Sequence, residues 1–337
     1  MAKDMMPSFE LLQPTELDQA MELLDRYGNR GWKLAGGYDT IDWLKDRAKR
    51  TEVVIDLEGL EALKGIRETG DGGVEIGALT TLTEIERSPL LRERFSLLAD
   101  AARAVASPQI RNAGTLGGNL CQDARCWYYR SGVPCYRAGG NVCYADTPVA
   151  MNREHALFGA KRCVAVTPSD TAPALVALDA EVVVRSPRGE RVIPAEELFI
   201  GPDVDITRMT SLGPKDLLTS VRIPGRWAGA SFRFEKVADR GSWDFALVSL
   251  SAALRINRGT IEDCRLVAGA VECVPRRLVD VEAIVRGRAP NEETGELAGA
   301  AASAGARPLN YNHFKIPMLE NLVKRAIREA GKGVVVA

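Results

Sequence analysis

The sequence predicts a mixed α+β protein made of three structural units. Its 337 residues are enough for two or three units with buried cores. Helix and strand patterns alternate in the first part of the chain, whereas antiparallel strands followed by helices are expected in the last part. We therefore place the units at residues 1–60, 61–226 and 227–332.

The first unit is expected to contain a helix, a strand, a second helix and a second strand, in that order. Thr15 and Asp18 resemble a capping box ahead of an apolar helical face, and Gly28 is a plausible stop for that helix. Apolar and β-branched patterns then predict three further elements: a strand at 32–35, a helix at 40–49 and a strand at 52–57.

The second unit is predicted to open with a hairpin, whose strands at 65–69 and 74–79 flank the Gly-rich turn 70–73. Residues 107–169 have no regular pattern, and so long a loop is usually functional or disordered. The cysteines and aromatic residues of this loop favour function. The regular elements around it are expected at 82–87, 95–106, 171–178, 181–185 and 190–193.

The third unit is predicted after Pro224, as an antiparallel sheet followed by helices. The strands are expected at 231–237, 246–256 and 260–274, and the helices at 279–286 and 318–329.

Composition excludes several classes of function. The formal net charge is -1, so no bulk positive field would attract nucleic acid or an anionic membrane. No apolar run approaches the roughly 20 residues that a membrane helix needs. Residues 1–10 lack the apolar core of a secretory signal. We expect a cytoplasmic protein without membrane insertion, and export on a partner's signal stays open.

The chain has only two histidines, His155 and His313, which rules out His-rich metal sites. Neither lies in a motif typical of a Ser-His-Asp triad. His155 lies between Cys143 and Cys163; we expect it at the surface, with tuning or replacement of a metal ligand as the alternative.

The first candidate binding site is a glycine-containing connection between the strand at 32–35 and the helix at 40–49. Its residues are Lys33, Leu34, Ala35, Gly36, Gly37, Tyr38, Asp39 and Thr40. Paired glycines let backbone N–H groups approach an anion and adopt positive φ. N–H groups near a helix start can also form a phosphate-binding nest. An ordinary strand-to-helix turn is the alternative interpretation.

A second Gly-rich stretch, 107–119, contains Gly114, Thr115, Gly117, Gly118 and Asn119. Neither stretch matches the G-x-G-x-x-G fingerprint, and no Walker A motif is present, so an NAD-type Rossmann fold is not expected. Two separate loops instead fit one ligand whose pyrophosphate is held between two subdomains. A purely structural turn remains the alternative here too.

Five of the seven cysteines fall within residues 121–163. In a reducing compartment such clustering indicates metal binding rather than disulfides. Zinc knuckles use close C-x₂₋₄-C pairs, and only Cys121 and Cys126 come near that spacing. Iron–sulfur clusters tolerate irregular spacing and are favoured, with zinc left open. Cys264 and Cys273 lie in β-like runs with apolar neighbours and are expected to be core thiols.

Basic side chains accompany the clustered cysteines. They could offset the negative charge of a thiolate cluster, or they could simply be solvated. They are Arg125, Arg130, Arg137, Lys161 and Arg162.

These motifs resemble the FAD-binding subunits of the xanthine dehydrogenase and carbon monoxide dehydrogenase flavoprotein family over nearly the full chain. Residues 33–40 resemble the first pyrophosphate loop of that family, and 111–119 resemble the second. Residues 167–175 are similar to its flavin-contacting Ser-Asp segment, and 217–224 to the strand that closes its flavin domain. Residues 234–237 are similar to the start of its C-terminal domain.

The resemblance implies a set of residues that bind FAD: Lys33, Leu34, Ala35, Gly36, Gly37, Tyr38, Asp39, Thr40, Ile41, Gly114, Thr115, Gly117, Gly118, Asn119, Ser169, Asp170, Leu218 and Lys236. Tyr38 departs from the family, which more often has a smaller residue such as threonine there. The implied fold has two FAD-binding subdomains of the vanillyl-alcohol oxidase type, 1–60 and 61–226. An α+β C-terminal domain like that of the carbon monoxide dehydrogenase flavoprotein follows at 227–332.

Most family members lack the cysteine-rich insertion, which lies here at about 120–165. Members similar to 4-hydroxybenzoyl-CoA reductase and to bacterial molybdenum aldehyde oxidoreductases carry an extra [4Fe–4S] cluster in this subunit. The resemblance therefore implies four cluster ligands, Cys126, Cys135, Cys143 and Cys163, and leaves Cys121 out.

The resemblance further implies an oxidoreductase subunit that relays electrons and has no catalytic residue of its own. Its partners would be a small subunit with two [2Fe–2S] clusters and a large molybdopterin subunit, in a heterotrimer or a dimer of heterotrimers. An external electron carrier would complete the chain. The alternative interpretation is a different class of protein: a zinc-stapled scaffold or binding subunit, held together by a bound zinc ion, in which the Gly-rich loops are only turns.

Overall fold

Three β-sheets with helices packed on them make up residues 6–330, the part of the chain that the computed structural model describes. The outermost residues of the first and third predicted units, 1–5 and 331–332, lie outside it. The predicted mixture of helix and sheet is confirmed.

The first unit contains β1 (Glu10–Leu12), α1 (Leu17–Tyr27), β2 (Gly31–Leu34), α2 (Thr40–Lys45) and β3 (Val53–Asp56). Its strands form a parallel sheet in the order β1-β3-β2, on which α1 packs. The predicted capping box is wrong, because the N-cap of α1 is Glu16 and no side chain caps it. The N–H of Thr15 instead donates to Oε1 of Gln19 at 3.3 Å. Helix α2 also ends earlier than the predicted residue 49.

The second unit is an antiparallel sheet with a helical layer. Its elements are β4 (Ile66–Glu68), β5 (Val74–Gly77), α3 (Leu82–Arg87), α4 (Pro89–Arg94), α5 (Ser96–Arg103), α6 (Pro108–Ala113), α7 (Leu116–Cys121), α8 (Trp127–Arg130), α9 (Thr171–Ala177), β6 (Glu181–Ser186), β7 (Gly189–Pro194), α10 (Ala195–Leu198) and β8 (Leu217–Ile223). The strand order is β4-β5-β8-β6-β7. Helices α3, α5 and α9 bury their apolar faces in the core over this sheet.

The prediction that residues 107–169 are irregular is wrong in part, because α6, α7 and α8 lie within them. The side chain of Ser107 accepts a hydrogen bond from the N–H of Ile110, and the side chain of Thr115 accepts one from Gly118. Both residues therefore act as N-caps. Helices of four to six residues are too short to show a helical period, so only their caps were visible in the sequence.

The third unit contains β9 (Ser231–Val237), β10 (Val248–Asn257), β11 (Thr260–Gly269), β12 (Arg276–Arg277), α11 (Val279–Val285), α12 (Glu292–Ala302) and α13 (Lys315–Glu329). Its antiparallel strands lie in the order β12-β11-β10-β9, and the three helices pack on one face. Helix α12 was not predicted, because its alanines and glycines give little apolar contrast between faces. Strand β11 ends before the predicted residue 274.

The hydrophobic cores of the units are in contact, because residues of one unit are buried in the core of another. Ala253 of β10 and Val267 of β11 are buried in the core of the second unit. Leu157 and Phe158, from the cysteine-rich insertion, are buried in the core of the third unit. Among the helices of residues 6–330, none is long and apolar enough to cross a membrane.

Candidate functional site

The first Gly-rich loop joins β2 to α2 and presents backbone N–H groups at the turn. Gly37 has a φ of 81°, a conformation that glycine adopts without steric strain. Within the described chain, the N–H groups of residues 36–39 donate to no backbone oxygen, whereas the N–H of Ile41 donates to Gly37 O at 2.9 Å. Free N–H groups at such a turn can receive an anion.

The two Gly-rich loops lie against each other, and Gly36 is the point of contact. A Cβ atom on Gly36 would lie 2.2 Å from the carbonyl oxygen of Ala113 and 2.9 Å from Cα of Gly114. A Cβ on Gly118 would lie 3.8 Å from Cβ of Ala35. The fold therefore brings together two stretches that are separated by about 75 residues in the sequence.

The second loop, predicted to contact a pyrophosphate together with the first, uses several of its N–H groups within the protein. Leu116 N–H donates to Thr80 O (2.9 Å), Gly117 N–H to Ala78 O (2.8 Å), and Gly118 N–H to Oγ1 of Thr115 (3.1 Å). Gly118 lies within α7 and has no positive φ, so a need for glycine's positive φ, which we expected at this position as at Gly37, is not found. The glycines instead allow close packing, since a Cβ on Gly117 would lie 3.0 Å from Ala78 O.

Most side chains of the first loop have structural partners. Nζ of Lys33 donates to Pro214 O at 2.8 Å, and burial lowers the pKa of this lysine. Oγ1 of Thr40 accepts from the indole N–H of Trp32 at 3.0 Å. Tyr38 is exposed. The Lys33 ammonium and the Thr40 hydroxyl thus each have a partner within the protein, and the backbone N–H groups of 36–39 form much of the polar surface of the loop.

Asp39 ties the first loop to the cysteine-rich insertion. Its Oδ1 forms ion pairs with Arg125, at 3.1 Å, and with Arg130. Its Oδ2 accepts from the indole N–H of Trp43 at 3.2 Å and from the N–H of Asp123 at 3.0 Å. The carboxylate therefore binds the insertion and is not free for a phosphate, which its charge would repel.

Asn119 and Ser169 organise the next part of the site. Oδ1 of Asn119 accepts from the hydroxyls of Ser169 and Thr171, both at 2.6 Å. All three side chains are buried. These bonds fix the segment that leads into α9 against the end of α7.

Asp170 and Lys236 form a buried ion pair at 2.6 Å. The ammonium of Lys236 also donates to Ala104 O (3.0 Å) and Asp244 O (2.8 Å), so its three protons have protein acceptors. Burial raises the pKa of the Asp170 carboxyl, and the charge of Lys236 opposes that rise. Leu218, on β8, is buried in the core of the second unit.

A cavity of about 680 Å³ opens beside these residues, and all three units contribute to its wall. This volume is typical of a pocket for a cofactor-sized ligand. The lining includes Asp42 and Asp46 of the first unit; Arg125, Cys126, Arg130, His155, Ser169 and Asp170 of the second; and Arg240, Trp243, Phe245 and Ser249 of the third.

The four cysteines predicted as metal ligands line one small second cavity together with Arg137: Cys126, Cys135, Cys143 and Cys163. Arg137 is buried, and it pairs with Asp123 at 3.3 Å. Within residues 6–330, no group of three or more His, Cys, Asp or Glu side chains is arranged to hold a metal ion. The structure thus gathers four thiols around one space without forming a single-ion site.

The other three cysteines do not line this cavity, although Cys273 packs in the same buried cluster as Cys135 and Cys163 and its Sγ lies 3.6 Å from Arg137. Cys121 is exposed at the end of α7, while Cys264 and Cys273 are buried as predicted. Among the basic residues of the insertion, Lys161 pairs with Asp203 at 2.5 Å and Arg162 is exposed.

The predicted surface position of His155 is wrong. Its side chain is buried, and Nε2 lies 3.3 Å from Sγ of Cys126. Burial, assisted by the charge of Lys315, lowers the pKa of His155 to about 4, so the imidazole is neutral near pH 7.

Sequence reasoning missed Lys315, which fastens the insertion to the third unit. Its buried ammonium donates to the carbonyl oxygens of Ala270 (2.6 Å), His155 (2.8 Å) and Glu154 (3.3 Å). A signal was present: Lys315 lies four residues before Leu319 on the apolar face of α13, where a charged residue requires a buried partner.

Comparison with known proteins agrees with this arrangement. The family model described as the FAD binding domain in molybdopterin dehydrogenase matches residues 7–226, and the CO dehydrogenase flavoprotein C-terminal domain matches 233–330. The aldehyde oxidoreductase FAD-binding subunit PaoB of Escherichia coli is 31% identical over 88% of this chain and 90% of its own. The carbon monoxide dehydrogenase medium chain of Hydrogenophaga pseudoflava is 28% identical over 96% and 97%.

A solved structure shows the same fold. A chain of carbon monoxide dehydrogenase from Hydrogenophaga pseudoflava superposes with a TM-score of 0.75 and 28% identity, covering 96% of this chain and 97% of that one. The predicted fold class, two FAD-binding subdomains followed by an α+β C-terminal domain, is confirmed.

Proposed function

The chain belongs to the FAD-binding medium subunits of the xanthine dehydrogenase and carbon monoxide dehydrogenase family of molybdenum hydroxylases, and from this membership we propose that it relays electrons through an FAD and a [4Fe–4S] cluster. The observation that carries the proposal is the position of Cys126, which lines both the cavity of about 680 Å³ and the cavity of the four cysteines. Two adjacent cofactor sites in one chain are what a relay requires.

For FAD, we propose that the pyrophosphate lies against the backbone N–H groups of 36–39 and the contact between Gly36 and the second loop. The buried hydroxyl of Ser169 and the carboxyl of Asp170 line the larger cavity, where the flavin ring would lie. Lys236 acts through Asp170, since its own protons are used within the protein. The remaining predicted residues, including Thr115, Gly117 and Leu218, would support the site by packing.

For the cluster, we propose Cys126, Cys135, Cys143 and Cys163 as the ligands. Thiolates are the usual ligands of iron–sulfur clusters. Each thiolate of a four-iron cluster binds a different iron atom, so its ligands lie farther apart than those around one zinc ion, and the lack of a single-ion site fits the cluster better than zinc. The cavity is narrow, about 20 Å³, so a cluster would spread the four side chains.

When bound, flavin and iron–sulfur groups supply the electron chemistry, and the protein supplies position and electrostatics. The relatives are named as medium chains and FAD-binding subunits. We therefore propose a small [2Fe–2S] subunit and a large molybdopterin subunit as partners, together with an external electron carrier. Substrate would react on the large subunit, so no residue of this chain needs to act as general acid or base.

Cofactor release and turnover test this proposal. The complex purified with its partners should release about one FAD per chain on acid precipitation, and this chain alone should show little substrate turnover. Full turnover by the isolated chain would contradict the relay. A colourless complex that contains zinc and no flavin would instead support the alternative hypothesis of a zinc-containing scaffold subunit.

A further inference from the structure

Of the four cysteines proposed as cluster ligands, Cys126 is the one that lines the larger cavity as well as the small one. It directly precedes α8 and is partly exposed, whereas Cys135 and Cys163 are buried. Among the four proposed ligands, Cys126 is therefore the one that borders the larger cavity, where the flavin ring is proposed to lie.

The imidazole of His155 lies in the same wall. It lines the larger cavity, and its Nε2 is 3.3 Å from Sγ of Cys126. A thiolate bound to iron can only accept a hydrogen bond, so the contact requires the tautomer with the proton on Nε2. Nδ1 is then an acceptor, and it is buried without a hydrogen-bond partner in the described chain. Among residues 6–330, Cys126 is thus the hydrogen-bond partner found for this ring.

The third unit holds His155 in place through its backbone. The carbonyl oxygen of His155 accepts from Nζ of Lys315 at 2.8 Å and from Nδ2 of Asn312 at 3.0 Å. Its own N–H donates to Asn152 O at 3.1 Å. Because the backbone is anchored on both sides, the ring is directed at Cys126 by the fold and not only by the contact itself.

We propose that His155 is a positioning residue that donates a hydrogen bond from Nε2 to Sγ of Cys126 and thereby raises the reduction potential of the cluster at the ligand facing the flavin cavity. This inference rests on the proposed cluster. An N–H donor stabilises the more negative, reduced cluster by offsetting charge on the sulfur. The imidazole donates in both oxidation states, so one electron is added and no proton is taken up.

The test compares four forms of the complete complex: wild type, His155→Leu, His155→Gln and His313→Leu. Iron and FAD are counted per chain, and the cluster potential is measured by titration with dithionite followed by electron paramagnetic resonance. Leucine removes the donor and glutamine retains one. His313 is exposed and is the only other histidine, so its variant is the matched control.

We expect about eight irons per copy of this chain in all forms of the complex, four from the proposed [4Fe–4S] cluster and four from the two [2Fe–2S] clusters of the small subunit. The cluster potential should be more negative in His155→Leu, should recover most of that shift in His155→Gln, and should not shift in His313→Leu. An unchanged potential in His155→Leu with full iron would overturn this inference and leave the proposed relay intact. Loss of about four irons per chain in both His155 variants would show that His155 is needed to hold the cluster and does not only adjust its reduction potential. That result would also overturn the inference. Wild-type complex with only the four irons of the small subunit would refute the cluster itself, and the inference with it.

Discussion

Substitution of Gly36 by alanine tests whether contact between the two Gly-rich loops forms the FAD site. Gly36 has no positive φ, so alanine adds no backbone strain and only the new Cβ matters. That atom would lie 2.2 Å from Ala113 O and 2.9 Å from Cα of Gly114, both backbone atoms that no rotamer change can move. The loops must separate by roughly 1 Å to restore ordinary contact, and overpacking of this kind costs about 1–3 kcal/mol.

The expected result is a large loss of bound flavin, measured as FAD released by acid per chain, together with a lower free energy of unfolding in denaturant. Gly201→Ala is the matched control, because a Cβ on Gly201 meets nothing within 4 Å and its φ is not positive. If Gly36→Ala retained one FAD per chain with normal affinity, the loops would not form the pyrophosphate site.

Three further substitutions examine other parts of the site. Gly37→Val and Gly118→Val should each abolish flavin binding. Valine at position 37 would be strained at a φ of 81°, and valine at position 118 would displace the capping hydroxyl of Thr115, whose Oγ1 lies 3.0 Å from the new Cβ. Full flavin occupancy in both variants would contradict the assignment. Lys236→Met should lower the free energy of unfolding by about 3 kcal/mol at neutral pH because it leaves a buried charge unpaired. The loss should shrink at acidic pH, where the carboxyl of its partner is protonated, and a loss independent of pH would argue against the ion pair. Asp39→Asn should reduce iron and flavin content together, since its two arginine partners belong to the insertion; a change in flavin alone would show that the carboxylate does not connect the two sites.

Several regular elements of the first and third units, such as α1, β3, β10 and α13, could be predicted because their hydrophobic periods extend over several turns or strand residues, whereas β1 and α12 were missed. The strand β9 and the hairpin around residues 70–73 follow from local pattern alone. Helices α6 to α8 could not be predicted from periodicity, since each has at most six residues. Their caps, Ser107 and Thr115, were the readable signal.

The site was less predictable than the fold, because its geometry depends on contacts between distant segments. The first loop could be identified from Gly36 and Gly37, but nothing local indicated that Gly36 meets Ala113. Glycines in the second loop suggested free N–H groups, whereas the structure uses those groups to attach α7 to the second unit. His155 appeared polar and peripheral in sequence, whereas in the structure it is buried and its carbonyl oxygen accepts a hydrogen bond from Lys315, which lies 160 residues away.

The central claim, a flavin and a four-thiolate cluster in one chain, is tested most directly by counting iron, zinc and FAD in wild type and in five cysteine-to-serine variants. A four-iron cluster needs its four thiolates, and metal binding helps to order the segment that holds them. In the wild-type complex we expect about eight irons per copy of this chain, four from its own cluster and four from the small subunit, together with one FAD. Serine at position 126, 135, 143 or 163 should remove close to one four-iron cluster per chain and lower flavin occupancy, whereas Cys121→Ser should change neither. Zinc in place of iron, or iron lost in Cys121→Ser but retained in Cys126→Ser, would contradict the account.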